Sequence, residues 1–192
     1  MKDMIEIRWH GRGGQGAKTA ALLLADAALS SGKYVQAFPE YGPERMGAPV
    51  ASFDRISTKP ILLHSGVLNP DVVLVLDPTL IEAVDVTEGM SDGGVIVVNT
   101  EKTPEQIKSE LKISGSIKVF VVDASTISKE TIGREIPNTP MLGALIKATG
   151  MLDFKEMLED TKAKLTKKFK TKPDVIEGNI KAIERAYNEV RS

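Results

Sequence analysis

MIEIRWHGRGGQGAKTAA, residues 4–21, is the stretch on which the fold turns. A short apolar run enters a glycine cluster that opens into an alanine-rich helical pattern. Gly11, Gly13 and Gly16 satisfy G-x-G-x-x-G directly after a predicted strand, the context that raises this spacing above a chance match. Glycine permits positive φ and close approach of a ligand to the backbone. Unpaired amides and the dipole at the start of a helix over 15–30 favour a phosphate there. Gly14 and Gln15 complete the loop, and Arg12 and Lys18 add what reads as mobile positive charge. The same residues also suit a tight turn that packs helix on strand, and both readings stand at this point.

A dinucleotide site would carry an acid about 20 residues further on, at the end of the second strand. That strand is expected over 34–38, where Gln36 and Ala37 occupy the position and Glu40 lies beyond Pro39. This weakens NAD as the ligand. A P-loop fits poorly as well, because Ala17 separates Gly16 from Lys18-Thr19.

Continuous apolar runs at 5–9, 72–76, 95–98 and 119–122 read as strands buried on both faces of a mainly parallel sheet. Helical patterns over 15–30 and 104–112 lie between them, the second opened by Thr103, Pro104 and Gln106 as N-cap, N1 proline and capping-box partner. The expected architecture is α/β with helices on both faces. Residues 50–56 alternate, which predicts a half-exposed strand in an antiparallel excursion. Helices follow over 140–149, 153–168 and 173–190. One domain over 1–192 is expected, with an α/β core at 1–136 and a helical carboxy-terminal portion at 137–192 appended to it.

Lysine and arginine total 25 against 26 acids, which leaves no global field for nucleic acid or an anionic membrane. No apolar signal region and no span of about 20 apolar residues is present, so a cytoplasmic protein is expected. With no cysteine, disulfides and cysteine-ligated iron–sulfur clusters are excluded from this chain. His10 and His64 do not form a helical zinc pair, and no metal site is expected.

The loop over 39–49 is rich in glycine and proline and follows a strand. Tyr41, Glu44 and Arg45 in it could face a ligand or a partner subunit, or form a rigid turn with its charges in solvent. Asp77 and Asp123 end strands and suit helix caps better than ligand contacts. His10 either donates to a phosphate or closes its strand, and His64 has no partner at a readable spacing. Asn138 suits a cap and Gly143 close helix packing. The basic run 162–172, interleaved with Leu165 and Phe169, reads as a solvated helix face over a packed one, with docking to an acidic surface as the lesser alternative. No nucleophile with a base is readable, so no catalytic residue is assigned.

GRGGQGAKTA at 11–20 and AFPEYGPERMGAP at 37–49 resemble the signature segments of the gamma subunit of 2-oxoacid:ferredoxin oxidoreductases, nearest to the pyruvate and 2-ketoisovalerate branch. NTPMLGA at 138–144 and NIKAIERAY at 179–187 extend the resemblance along nearly the whole chain. It implies a three-layer Rossmann-like domain in a cytoplasmic complex. That complex converts pyruvate, coenzyme A and oxidised ferredoxin to acetyl-CoA, carbon dioxide and reduced ferredoxin, or runs the reverse. Thiamine diphosphate and iron–sulfur clusters would belong to partner subunits of alpha, beta and delta type, with ferredoxin met through the complex. Gly11, Arg12, Gly13, Gly14, Gln15, Gly16 and Lys18 would help hold coenzyme A, and Tyr41, Glu44 and Arg45 would face partners or the shared active site. Coenzyme A also suits the missing acid, since a carboxylate would repel its 3′-phosphate. A free-standing nucleotide-binding enzyme or regulator using the same loop is the contrasting expectation.

Overall fold

Val72, Val73, Leu74 and Val75 are all buried, because their strand lies in the middle of a sheet covered on both faces. This computed structural model describes residues 2–39, 47–113 and 115–192. Its strands are β1 (Met4–Arg12), β2 (Tyr34–Pro39), β3 (Pro49–Ser57), β4 (Val72–Val75), β5 (Val95–Asn99) and β6 (Lys118–Val122). They form one sheet in the order β2-β3-β1-β4-β5-β6. The pairs β1·β4, β4·β5 and β5·β6 are parallel, and β3 alone runs against the rest.

Two apolar layers result from the pleat. On one face Ile7, Trp9, Leu74 and Val97 meet α1 (Ala17–Ser30), α5 (Asn138–Thr149) and α7 (Pro173–Glu189). The inner side of α1 is mostly alanine, at 17, 20, 21, 27 and 28, so the helix sits close to the strands. On the other face Val73, Val75, Ile96, Val98, Val119 and Val121 meet α2 (Leu80–Ala83) and α3 (Pro104–Glu110) through Leu80 and Ile107.

Caps follow the sequence closely. Thr103 and Gln106 form the expected reciprocal pair at the start of α3, at 2.8 and 3.3 Å. Asp123 accepts from the Thr126 amide at 2.9 Å and opens α4 (Ala124–Ile132). Asp153 does the same for α6 (Phe154–Lys168) with the Glu156 amide. At the end of the chain's helical portion, α7 lies so close to α5 that a Cβ on Gly143 would stand 2.1 Å from the Ile183 carbonyl oxygen. Ala182, Ile183 and Ala186 bring α7 into the main core, so the carboxy-terminal helices pack directly on the sheet. Beyond α7, Arg191 pairs its backbone with Val121 of β6.

One expectation is corrected. The segment at 50–56 is antiparallel, as anticipated, yet it is not half-exposed: β3 lies between β1 and β2, and every residue from Ser52 to Ser57 is buried. Its charged residues mislead because each finds partners inside. Asp54 takes the Trp9 indole N–H at 2.7 Å, and Arg55 reaches Glu6, Gln36 and the Gly66 carbonyl at 2.8, 3.2 and 3.0 Å. Among the described residues no helix is long and apolar enough to cross a membrane.

Candidate anion-binding site

β1 and β4 are parallel neighbours whose following helices cover opposite faces of the sheet, which opens a crevice beyond their carboxyl ends. The glycine loop fills one side of it. Gln15 Oε1 accepts the Arg12 amide at 2.7 Å, and the Gln15 amide returns to the Arg12 carbonyl at 3.0 Å. Gln15 Nε2 then donates to Asp77 Oδ2 at 2.7 Å, tying the loop to the end of β4. Arg12 joins the same cluster, with Nε 3.2 Å from Asp77 Oδ2, Nη2 donating to Thr79 Oγ1 at 2.9 Å and Nη1 to the Gly47 carbonyl at 3.1 Å. Burial opposes ionisation of Asp77, but bonds from Thr79 and Gln15 and the adjacent Arg12 outweigh it and hold the carboxyl below its ordinary range.

These contacts revise several sequence readings. Arg12 is pinned to the protein and is not a mobile charge. Asp77 does not cap α2, whose N-cap is Thr79, and instead anchors the loop. The Gly13 amide bonds to the Ala48 carbonyl at 3.0 Å, so it is not one of the free donors. Gly11 is buried within β1, where a Cβ would meet Ala17 Cβ at 3.4 Å and Leu76 Cβ at 3.6 Å, a packing role. The helix starts at Ala17, two residues later than expected, because Gly16 caps it at φ 82°. Tyr41, Glu44 and Arg45 lie outside the described residues.

Gly14 and Gly16 both take positive φ, at 100° and 82°. Among the described residues the amides of Gly14, Gly16, Ala17, Lys18 and Thr19 have no backbone acceptor, as expected at the first turn of a helix. Gly14, Gly16 and Thr19 line a cleft of about 500 Å³, and its far wall carries Arg134, Lys168 and Lys172. Among the described residues none of these three cations has an ion-pair partner. Exposed Lys18 stands outside this wall. Asn138 fits against Gly16, where any Cβ would come within 2.5 Å of its Nδ2, and Thr139 bonds to Asn179 at 2.8 Å below the cleft floor. Asn138 is thus the first residue of α5 and braces the loop, while Pro137 holds the cap position. The cleft brings the start of α1, with its helix dipole, together with three cations, an arrangement chemically suited to an anion.

The pattern of 162–172 concealed Lys168 and Lys172, since a basic run on an amphipathic helix has the same appearance whether it meets solvent or a ligand. Arg134 carried no readable signal. His10 lines a different cleft, on the other face of the sheet, and does not join the glycine loop.

A model of the pyruvate ferredoxin/flavodoxin oxidoreductase family matches residues 6–189. The chain belongs to this family. Relatives within the pyruvate ferredoxin/flavodoxin oxidoreductase family match it over almost their whole length. Pyruvate synthase subunit PorC of Thermotoga maritima is 48% identical over 190 residues, covering 99% of this chain and 96% of that protein. The common gamma subunit of the pyruvate/ketoisovalerate oxidoreductases of Thermococcus kodakarensis is 50% identical over 186 residues, covering 97% of each. The crystal structure of the Thermotoga maritima pyruvate oxidoreductase subunit superposes with a TM-score of 0.84 at 46% identity, covering 99% of this chain and 98% of that one. A 2-oxoglutarate:ferredoxin oxidoreductase of Magnetococcus marinus, solved with 2-oxoglutarate, coenzyme A and succinyl-CoA, shares the fold. Its TM-score is 0.77 at 20% identity, and the match covers 98% of this chain but 31% of that longer one.

Proposed function

We propose that this chain is the gamma subunit of a cytoplasmic pyruvate:ferredoxin oxidoreductase and that its own contribution is to hold coenzyme A. The observation that carries the reading is the cleft between Gly14–Gly16–Thr19 and Arg134–Lys168–Lys172. Coenzyme A bears a pyrophosphate and a separate 3′-phosphate. The free amides at the start of α1 suit the first, and the cationic wall suits the second. Arg12 and Gln15 act indirectly, fixing the loop through Asp77, and Lys18 adds long-range attraction from outside the cleft. The chain has no cysteine to ligate an iron–sulfur cluster, so electron transfer to ferredoxin belongs to partner subunits of alpha, beta and delta type, which also supply thiamine diphosphate. Thiamine diphosphate bound there would supply the electron sink that decarboxylation of a 2-oxoacid needs. This chain's part is to position the thiol-bearing substrate that accepts the acyl group. Tyr41, Glu44 and Arg45 are proposed to meet that shared active site or its subunits.

The test is steady-state kinetics of the assembled enzyme carrying Lys168→Glu and Lys172→Glu. The KM for coenzyme A should rise by about tenfold or more, while kcat at saturating coenzyme A and the KM for pyruvate hold. Dephospho-coenzyme A, which lacks the 3′-phosphate, should be much less affected by the pair of substitutions. An unchanged KM for coenzyme A in a fully assembled enzyme would refute this placement.

A further inference from the structure

All 25 lysines and arginines of the chain lie outside residues 60–101, which hold seven carboxylates. Three of these, Glu82, Asp85 and Glu88, stand exposed on and just after α2. Beside them, among the described residues, the face of β1, β2 and β3 that carries Arg8, His10 and Phe53 is covered by no helix. Irregular chain at 58–71 crosses it instead and leaves Leu62, Leu63 and Leu68 in the open, and Val84, at the end of α2, is exposed as well. Leu68 is 75% exposed and Leu62 83%. Leu68 and Val84 form the lip of a cleft of about 560 Å³, with Phe38, Phe53 and Val67 in its walls and His10 within. The cleft wall continues through Phe38 and Gly66 to a shallower one bordered by Leu63. His10 Nε2 is buried and has no hydrogen-bond partner among the described residues.

We propose that this face is a docking surface for a basic, apolar segment of another subunit of the same enzyme, inserting an apolar side chain over Phe38 and Phe53 and placing Lys or Arg against Glu82, Asp85 and Glu88. The inference rests on the reading of the chain as a subunit of a heteromeric oxidoreductase. Charge selects the occupant. Arg8 also lines the cleft, but it is buried and donates to the Val86 and Glu88 carbonyls at 3.1 and 2.6 Å, so the exposed rim presents the carboxylates of Glu82, Asp85 and Glu88, which disfavour coenzyme A, nucleic acid and anionic lipid and draw a cationic segment. Aliphatic side chains this exposed, grouped around an apolar cleft, are the usual mark of a protein interface. The His10 imidazole nitrogen gives the incoming segment a polar anchor within the cleft, beside the aromatic pair of Phe38 and Phe53 and near Arg8, Asp85 and Glu88. A second copy of this chain is the weaker occupant: its basic stretch is on α6, far in sequence from the acidic face, so the contact would be head-to-tail and would propagate without closing.

The experiment is co-expression of the tagged full-length chain with its partner subunits, followed by recovery on the tag and sedimentation. Two doubles are compared with wild type: Leu68→Asp with Val84→Asp, and Glu82→Lys with Glu88→Lys. Each should lower the recovered partner subunits by about tenfold or more, while thermal melting of the isolated variant chains matches wild type. Wild-type recovery should fall with added salt, and the charge-reversed pair should lose that dependence. Full recovery with both doubles would overturn the surface and leave the subunit reading intact. Failure of wild type to recover any partner would overturn both. Self-association of the isolated wild-type chain, abolished by Leu68→Asp, would assign the face to a second copy and overturn the proposal.

Discussion

Gln15 holds Arg12 and Asp77 at once: its Oε1 takes the Arg12 amide at 2.7 Å and its Nε2 donates to the Asp77 carboxylate at 2.7 Å. A single neutral side chain therefore sets the path of the glycine loop and ties it to the neighbouring strand.

Gln15→Ala should leave the Arg12 amide without its acceptor and cost about 1–3 kcal/mol of stability. In the assembled enzyme the KM for coenzyme A should rise with little change in kcat. Gln15→Glu is the sharper variant, because it keeps the acceptor for Arg12 but sets a second carboxylate against Asp77. Its loss should exceed that of the alanine variant at neutral pH and shrink in acid, as read by denaturation midpoints.

Gly16→Ala carries two penalties, a left-handed backbone at φ 82° and a Cβ 2.5 Å from Asn138 Nδ2. Gly14→Ala carries only the first, since nothing lies within 4 Å of its Cβ. The backbone strain alone is worth roughly 1–2 kcal/mol. Gly16→Ala should therefore be the more damaging, and Asn138→Ala should relieve part of it. A double-mutant cycle by urea denaturation should find a favourable coupling of about 1 kcal/mol between 16 and 138 and about none between 14 and 138.

Burial, with Arg8 adding to it and Asp85 opposing, lowers the His10 pKa to about 4 from 6.5. The unfolded chain thus binds more protons than the folded one between those values. The contribution of His10 is present above pH 6.5 and is lost as pH falls through 4, by up to about 3 kcal/mol for a shift of this size. Urea midpoints of wild type should fall across that window more steeply than those of His10→Gln.

Asp54 has the opposite sign. Burial pushes its carboxyl well above the ordinary range, against the pull of the Trp9 hydrogen bond, and among the described residues one of its oxygens has no partner. Its stabilising protonated form is fully populated below pH 3.8, and that contribution is lost as pH rises through the folded value. Asp54→Asn keeps an acceptor for Trp9 and removes the buried charge. It should stabilise the protein by about 1–3 kcal/mol at pH 8 and change little at pH 4, as measured by calorimetry.

The sheet strands were legible because runs such as 72–76 and 95–98 are apolar on both faces, and the cap at Thr103 because its whole device spans four consecutive residues. β3 deceived because Asp54 and Arg55 look like solvent-facing positions, and their partners Trp9 and Glu6 lie far back in the chain. The cradle was half legible. Its glycines are local, but Arg134, Lys168 and Lys172 join them only through the packing of α5, α6 and α7 against the sheet. Arg12 read as a free charge for the same reason, since Asp77 is brought beside it only by strand pairing.

The contact of α5 with α7 and the pairing of Val121 with Arg191 are closures between segments distant in sequence. β6 ends at Val122 and pairs with Arg191, α5 ends at Thr149 and packs on α7 that begins at Pro173, and β1 and β3 are separated in the chain by α1 and β2. Such non-local closures slow the search for the native state, and the close seat of α7 on Gly143 is made only when that closure is complete. Lengthening the connection between α6 and α7 should therefore slow refolding of the chain, as read by stopped-flow fluorescence.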